Sequence, residues 1–136
     1  MSTIKIIGIS SYFHDSAVCL IEDGKIIYAA QEERFSRIKN DAYFPELALR
    51  NCLKYTNTSI NEITAIVFYE KPFLKFERIL NNALDMAPKG LFSFIHAMHV
   101  WTKDKLFIKQ NIYNELKNIS PAFNKKKTIL LFSEHH

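Results

Sequence analysis

Ala17-Val18-Cys19-Leu20-Ile21-Glu22-Asp23-Gly24-Lys25-Ile26-Ile27-Tyr28-Ala29-Ala30-Gln31 decides the fold. Two short apolar runs, rich in β-branched and aromatic residues, flank one Asp-Gly pair. Each run has the length and composition of a strand. Asp23-Gly24 supplies the positive φ that a two-residue hairpin turn requires. The stretch therefore predicts an antiparallel hairpin over 17–22 and 25–31.

Upstream, Ile4-Lys5-Ile6-Ile7-Gly8-Ile9-Ser10 reads as another buried strand, completing a three-stranded meander. Downstream, a polar stretch from Glu32 to Tyr43 leads to Phe44-Pro45. Pro45 suits the first turn of a helix, where a missing N–H costs nothing. Leu47, Leu49, Cys52 and Leu53 follow at roughly helical spacing. Residues 57–62 break that helix, and 63–69 form a fourth strand. Residues 73–86 read as helical, with Leu74, Ile79, Leu80 and Leu84 as candidate buried positions. Residues 91–117 give one or two aromatic-rich helices, and 128–132 a fifth strand. Strands four and five are each reached through helix, so right-handed crossovers make them parallel to the first. The expected sheet order is 3-2-1-4-5, with helices on its faces. That α/β arrangement is one lobe of the actin, hexokinase and ribonuclease H-like superfold.

Composition narrows the classes. The chain has 136 residues, 48% of them hydrophobic and 13% aromatic, enough to bury a core and too many for disorder. The net charge is +4, with Lys125, Lys126 and Lys127 contributing most of the excess. A short lysine run before a strand reads as a solvated loop, so no nucleic-acid partner is expected. No run of about eighteen uncharged apolar residues and no signal-peptide pattern occurs, so a cytoplasmic protein off the membrane is expected. Cys19 and Cys52 read as two buried thiols without a disulfide framework. Only Gly8, Gly24 and Gly90 are glycines, so no glycine-rich phosphate loop can be drawn.

If strands one, four and five are parallel, their carboxyl ends share one sheet edge, where open α/β sheets bind ligands. Three polar segments converge there: residues 10–15, Glu70-Lys71, and Ser133-Glu134-His135-His136. His14 sits in the first. Asp15 could orient it, but an aspartate in a turn more often accepts from nearby backbone N–H groups, and that is the expectation. His96 and His99 lie three apart on a helix among Phe92, Ile95, Met98 and Trp101. They read as partly buried, satisfied histidines rather than a metal pair.

Three ordered motifs carry a resemblance. Gly8-Ile9-Ser10-Ser11-Tyr12-Phe13-His14-Asp15-Ser16-Ala17 resembles the opening of the O-carbamoyltransferase family, of the nodulation-protein and antibiotic-tailoring type. Ala30-Gln31-Glu32-Glu33-Arg34-Phe35-Ser36-Arg37-Ile38-Lys39 is similar to its next signature, and Ser133-Glu134-His135-His136 to the start of its Glu-His-His-x-x-His element. The match is dense over the first fifty residues and the last four. Between Lys71 and Lys127 no motif is recognisable.

The resemblance implies that residues 1–136 are the first lobe, incomplete, of an actin-like domain. That domain transfers a carbamoyl group from carbamoyl adenylate to a hydroxyl on a small-molecule acceptor. A second lobe and an adenylate-forming domain, which uses ATP and carbamoyl phosphate, are implied partners in cis. His14 is carried over to the carbamoyl end of the intermediate. Arg37 and Lys39 are carried over as the cations that grip its phosphate or carbonyl oxygen. His135 is carried over as a ligand of a divalent metal, with iron the expected ion. Without the resemblance, Arg37 and Lys39 read as an exposed charge alternation with Glu32 and Glu33, and His14 equally well as a solvated turn residue. A lone lobe leaves sheet and apolar surface uncovered, so the isolated chain is expected to self-associate, a homodimer included. Two other readings stay open: a sugar- or acetate-kinase-like or metal-dependent tRNA-modifying lobe of the same superfold, and a non-catalytic truncated module. The kinase reading requires a glycine-rich turn after the first strand, where Tyr-Phe-His-Asp stands.

Overall fold

The computed structural model describes residues 2–69, 81, 82, 84, 85, 89 and 91–133. Their elements run β1 (Lys5–Ser10), β2 (Ala17–Glu22), β3 (Lys25–Gln31), α1 (Glu33–Ser36), α2 (Glu46–Tyr55), β4 (Ala65–Phe68), α3 (Leu91–Ile119) and β5 (Ile129–Phe132). The chain divides into two compact units, Met1–Glu70 with Glu115–His136, and Lys71–Asn114.

The first unit holds one five-stranded sheet of order β3-β2-β1-β4-β5. β1, β2 and β3 pair antiparallel, and β1 with β4 and β4 with β5 pair parallel. This is the order expected from the hairpin and two right-handed crossovers. The hairpin turn has φ 47° at Asp23 and 81° at Gly24, as a two-residue primed turn requires. The Asp23 carboxylate also accepts from the Ile4 N–H at 2.9 Å, fixing the turn to the start of β1. A Cβ at Gly24 would meet nothing within 4 Å, so only the backbone resists a side chain there. Gly24→Ala is expected to cost about 1 kcal/mol; an unchanged urea midpoint would contradict that account of the turn.

Alternation along the strands puts Ile7, Ile9, Val18, Leu20, Ile66 and Phe68 on one face, and all six are buried. Each such side chain contributes roughly 1.5–3 kcal/mol by leaving water. α2 covers this face with Ala48, Leu49 and Cys52. Tyr28 on β3 donates to Asn51 of α2 at 2.7 Å. Arg50 of α2 donates to the carbonyls of Asn118 and Ile119, setting the last turn of α3 beside it. A capping box between Ser59 and Glu62 starts the 3-10 turn Ile60–Glu62 that leads into β4.

Several expectations change in detail. Pro45 is the N-cap of α2 rather than a residue of its first turn. Leu47 is exposed, and Ala48 is buried beside the expected Leu49 and Cys52. α1 interrupts the stretch read as polar coil. In the second unit residues 91–114 belong to α3, one continuous helix, with no break near 100. Leu84 is exposed, not buried; Leu74, Ile79 and Leu80 lie outside the described residues. His96 and His99 are exposed rather than partly buried, since Phe92 and Ile95 beside them also face outward. Cys52 is buried as expected, but Cys19 is only half-buried. It projects from the face of the sheet opposite Ile7, Ile9 and Val18. Among the described residues no helix is long and apolar enough to cross a membrane.

Candidate active site at the carboxyl edge of the sheet

β1, β4 and β5 end together. The ladder continues through Tyr69 N–H to the Ile9 carbonyl at 2.9 Å and Ser133 N–H to the Phe68 carbonyl at 2.8 Å. The turn of residues 11–16 and Ser133 therefore rise from one edge, as the topology predicts. Glu70, Lys71, Glu134, His135 and His136 lie outside the described residues.

The turn after β1 is unusual backbone. Tyr12 has φ 70° and Asp15 φ 52°, left-handed conformations that cost L-residues about 1–2 kcal/mol each. Two bonds hold it in place: Tyr12 N–H to the Ala42 carbonyl at 2.7 Å and Ser16 N–H to the Asp41 carbonyl at 2.8 Å. Asp41 is itself buried and accepts from Tyr43 N–H at 3.0 Å. The segment just after Lys39 is thereby strapped to the turn that carries His14. The Ser11 and Ser16 hydroxyls at the foot of the turn are buried without a hydrogen-bond partner among the described residues. Such losses, at about 1–3 kcal/mol each, add to the strain. Strain of this kind gathers where function fixes a geometry.

His14 is held within the turn. Its Nδ1 lies 2.8 Å from the Asp15 carboxylate, and its side chain is 75% exposed. Asp15 thus orients the imidazole, contrary to the expectation that it would serve nearby backbone N–H groups. With Nδ1–H donating to Asp15, the neutral ring presents a basic Nε2 to solvent. Tyr12 cannot compete as a base. Burial, and to a lesser extent the Glu115 carboxylate, holds its phenol above the ordinary value. Nor is there an activated thiol: burial raises Cys19, and burial with Cys19 nearby pushes Cys52 up to about 12.

Arg37 caps α1 in the left-handed region, φ 62°, its N–H bonded to the Glu33 carbonyl. It lines a surface hollow of about 500 Å³ together with Arg34, Arg50 and Lys54. Lys39 is exposed, and neither it nor His14 lines that hollow. Arg37 is thus brought to other cations, whereas Lys39 approaches the His14 turn only through the strap at 41–42.

Glu32 was not foreseen as anything but an exposed charge. It is 4% exposed and its carboxylate accepts from Leu47 N–H at 3.0 Å and Ala48 N–H at 2.7 Å. It caps α2 from a distance, satisfying two of the donors a helix start leaves open and countering the helix dipole. Its own N–H bonds the Ser16 carbonyl at 2.8 Å. One residue therefore joins the end of β3, the start of α2 and the His14 turn.

The family model described as carbamoyltransferase N-terminus matches residues 5–136. The Synechocystis sp. (strain ATCC 27184 / PCC 6803 / Kazusa) protein sll1178 is 47% identical over 131 residues, 96% of this chain and 21% of its own length. The nodulation protein NolNO of Sinorhizobium fredii (strain NBRC 101917 / NGR234) is 35% identical over 60 residues, 44% of this chain and 9% of its own. The chain spans about a fifth or less of these two relatives. With the match running across all five strands and the His14 turn, the chain belongs to the carbamoyltransferase family, in its N-terminal region.

Proposed function

We propose that this chain is the first lobe of an actin-like transferase domain within a longer enzyme. There a carbamoyl group would move from carbamoyl adenylate to an acceptor hydroxyl, in natural-product or glycan biosynthesis. The observation that carries the reading is the His14–Asp15 pair at the end of β1, in a chain of this family. Nε2 of His14 takes the hydroxyl proton as the acceptor oxygen bonds to the carbamoyl carbon. The bond from that carbon to the phosphate oxygen breaks, and AMP leaves with its electron pair. Arg37 and Lys39 are the cations proposed to hold the phosphate or carbonyl oxygen of the intermediate. Carbamoyl adenylate would come from carbamoyl phosphate and ATP on a separate domain of the longer polypeptide. The two half-reactions separate the roles, since pyrophosphate release reports the adenylate and carbamate on the acceptor reports transfer.

His135 is proposed as one ligand of a divalent metal, iron first, which when bound would polarise the carbamoyl group. Among the described residues no group of three or more His, Cys, Asp or Glu is placed to hold a metal, and no step above runs through the ion. In the longer protein His135→Ala is expected to weaken metal binding about tenfold or more. Unchanged affinity in equilibrium dialysis would remove His135 from the site.

A further inference from the structure

Left-handed backbone gathers in two segments of the first unit. Tyr12 (φ 70°) and Asp15 (φ 52°) flank His14, and Arg37 (φ 62°) and Asn40 (φ 54°) precede Asp41. Tyr12 and Arg37 lack the short polar side chain that eases this conformation in Asn and Asp, so bonds from outside must hold them. The two segments meet through two such bonds, one on either side of His14. Tyr12 N–H donates to the Ala42 carbonyl at 2.7 Å and Ser16 N–H to the Asp41 carbonyl at 2.8 Å. Both acceptors belong to one bend. At its centre the carboxylate of Asp41, a residue only 4% exposed, accepts from Tyr43 N–H at 3.0 Å. This is an Asx turn, in which a side-chain oxygen stands in for a backbone carbonyl and fixes the chain direction. Just upstream the Glu33 carboxylate accepts from Asn40 N–H at 2.9 Å, anchoring the bend to α1.

We propose that Asp41 is a positioning residue for His14, acting through the backbone. Its carboxylate sets the bend, and the bend presents two successive carbonyls to the turn. Held by them, Asp15 stays left-handed, with its carboxylate 2.8 Å from His14 Nδ1. An exposed aspartate could make the same bend dispensably, because water would replace its oxygen. Asp41 is enclosed, where a lost acceptor is not so readily replaced. This role rests on the reading of His14 as the base of carbamoyl transfer, and adds the group that keeps that base in place.

Amide exchange and the two half-reactions, followed in the full-length enzyme, test it together. In Asp41→Ala the Tyr12 and Ser16 amides are expected to exchange at least about tenfold faster, by residue-resolved mass spectrometry. In Asp41→Asn, whose side-chain oxygen can accept the same bond, they should stay near the parent. Carbamoyl transfer should fall about tenfold or more in the alanine variant and recover with asparagine, while pyrophosphate release holds in both. Added to His14→Asn, Asp41→Ala should cause no further loss of transfer, since a residue acting only through His14 has nothing left to position. Should the alanine variant not fold, Asp41→Ser takes its place; serine makes the turn more weakly, and about threefold faster exchange is expected. Unchanged exchange at Tyr12 and Ser16 would overturn the proposal. So would multiplying losses in the double variant, because Asp41 would then act elsewhere. If the unsubstituted enzyme forms no carbamate, the carbamoyl reading fails by itself, and the exchange rates still decide whether Asp41 sets the turn.

Discussion

Glu32→Ala is expected to destabilise the chain by about 3 kcal/mol or more, a large share of the roughly 5–15 kcal/mol that holds a domain folded. The carboxylate is buried and bonds two N–H groups at the start of α2. Alanine leaves the buried Ala48 N–H and the part-buried Leu47 N–H without their acceptor, at about 1–3 kcal/mol each, and removes the charge that faces the helix dipole. Glu32→Gln keeps an acceptor and should recover part of the loss. Urea unfolding followed by circular dichroism measures both. An alanine variant within about 0.5 kcal/mol of the parent, the range of ordinary surface substitutions, would mean that α2 is capped otherwise. The Glu32 backbone N–H still bonds the Ser16 carbonyl in the alanine variant, so the damage is expected to stay at the start of α2.

His14→Asn in the full-length enzyme is expected to slow carbamoyl transfer by about a hundredfold or more, a usual size for losing a general base. Formation of carbamoyl adenylate on the other domain should be nearly unaffected. The imidazole is mostly solvent-exposed and held by Asp15, so its loss removes no core contact and the melting temperature should barely move. Asparagine can still bond Asp15 but has no basic nitrogen, so it separates orientation from proton transfer. Following pyrophosphate release and acceptor carbamate in the same sample gives both rates. Equal loss in both would point to a shared structural or nucleotide role. Undiminished transfer in a folded variant would leave His14 a solvated turn residue.

The sheet was legible because its decisive signals are local. Asp23-Gly24 fixes a hairpin, and strand–helix–strand spacing with right-handed crossovers fixes β4 and β5. Glu32 was illegible because its partners lie 15 and 16 residues away, and no period in the sequence links a carboxylate to a helix start at that distance. Cys19 differs for a related reason: an apolar strand implies burial on both faces, but Cys19 lies on the face that α2 does not cover. The exposure of His96 and His99 has the same root, since an apolar neighbourhood in sequence does not ensure a packing partner. At the site, sequence and resemblance located His14, but the 2.8 Å bond from its Nδ1 to Asp15 depends on a left-handed Asp15. Asp tolerates that backbone, and the bonds to residues 41–42 that hold the turn link positions too far apart for the sequence to pair.

Carbamoyl transfer itself is tested most directly by isotope tracing. The full-length protein is given carbon-labelled carbamoyl phosphate, ATP and a small-molecule extract of the cells that make it, and the products are read by mass spectrometry. The account predicts ATP cleaved to AMP and pyrophosphate, and labelled carbon recovered as an O-carbamate on a hydroxyl compound. ATP cleaved to ADP with phosphate moved to a hydroxyl would contradict it and favour a kinase of the same superfold; adenylate-dependent modification of added tRNA without labelled carbamate would contradict it equally.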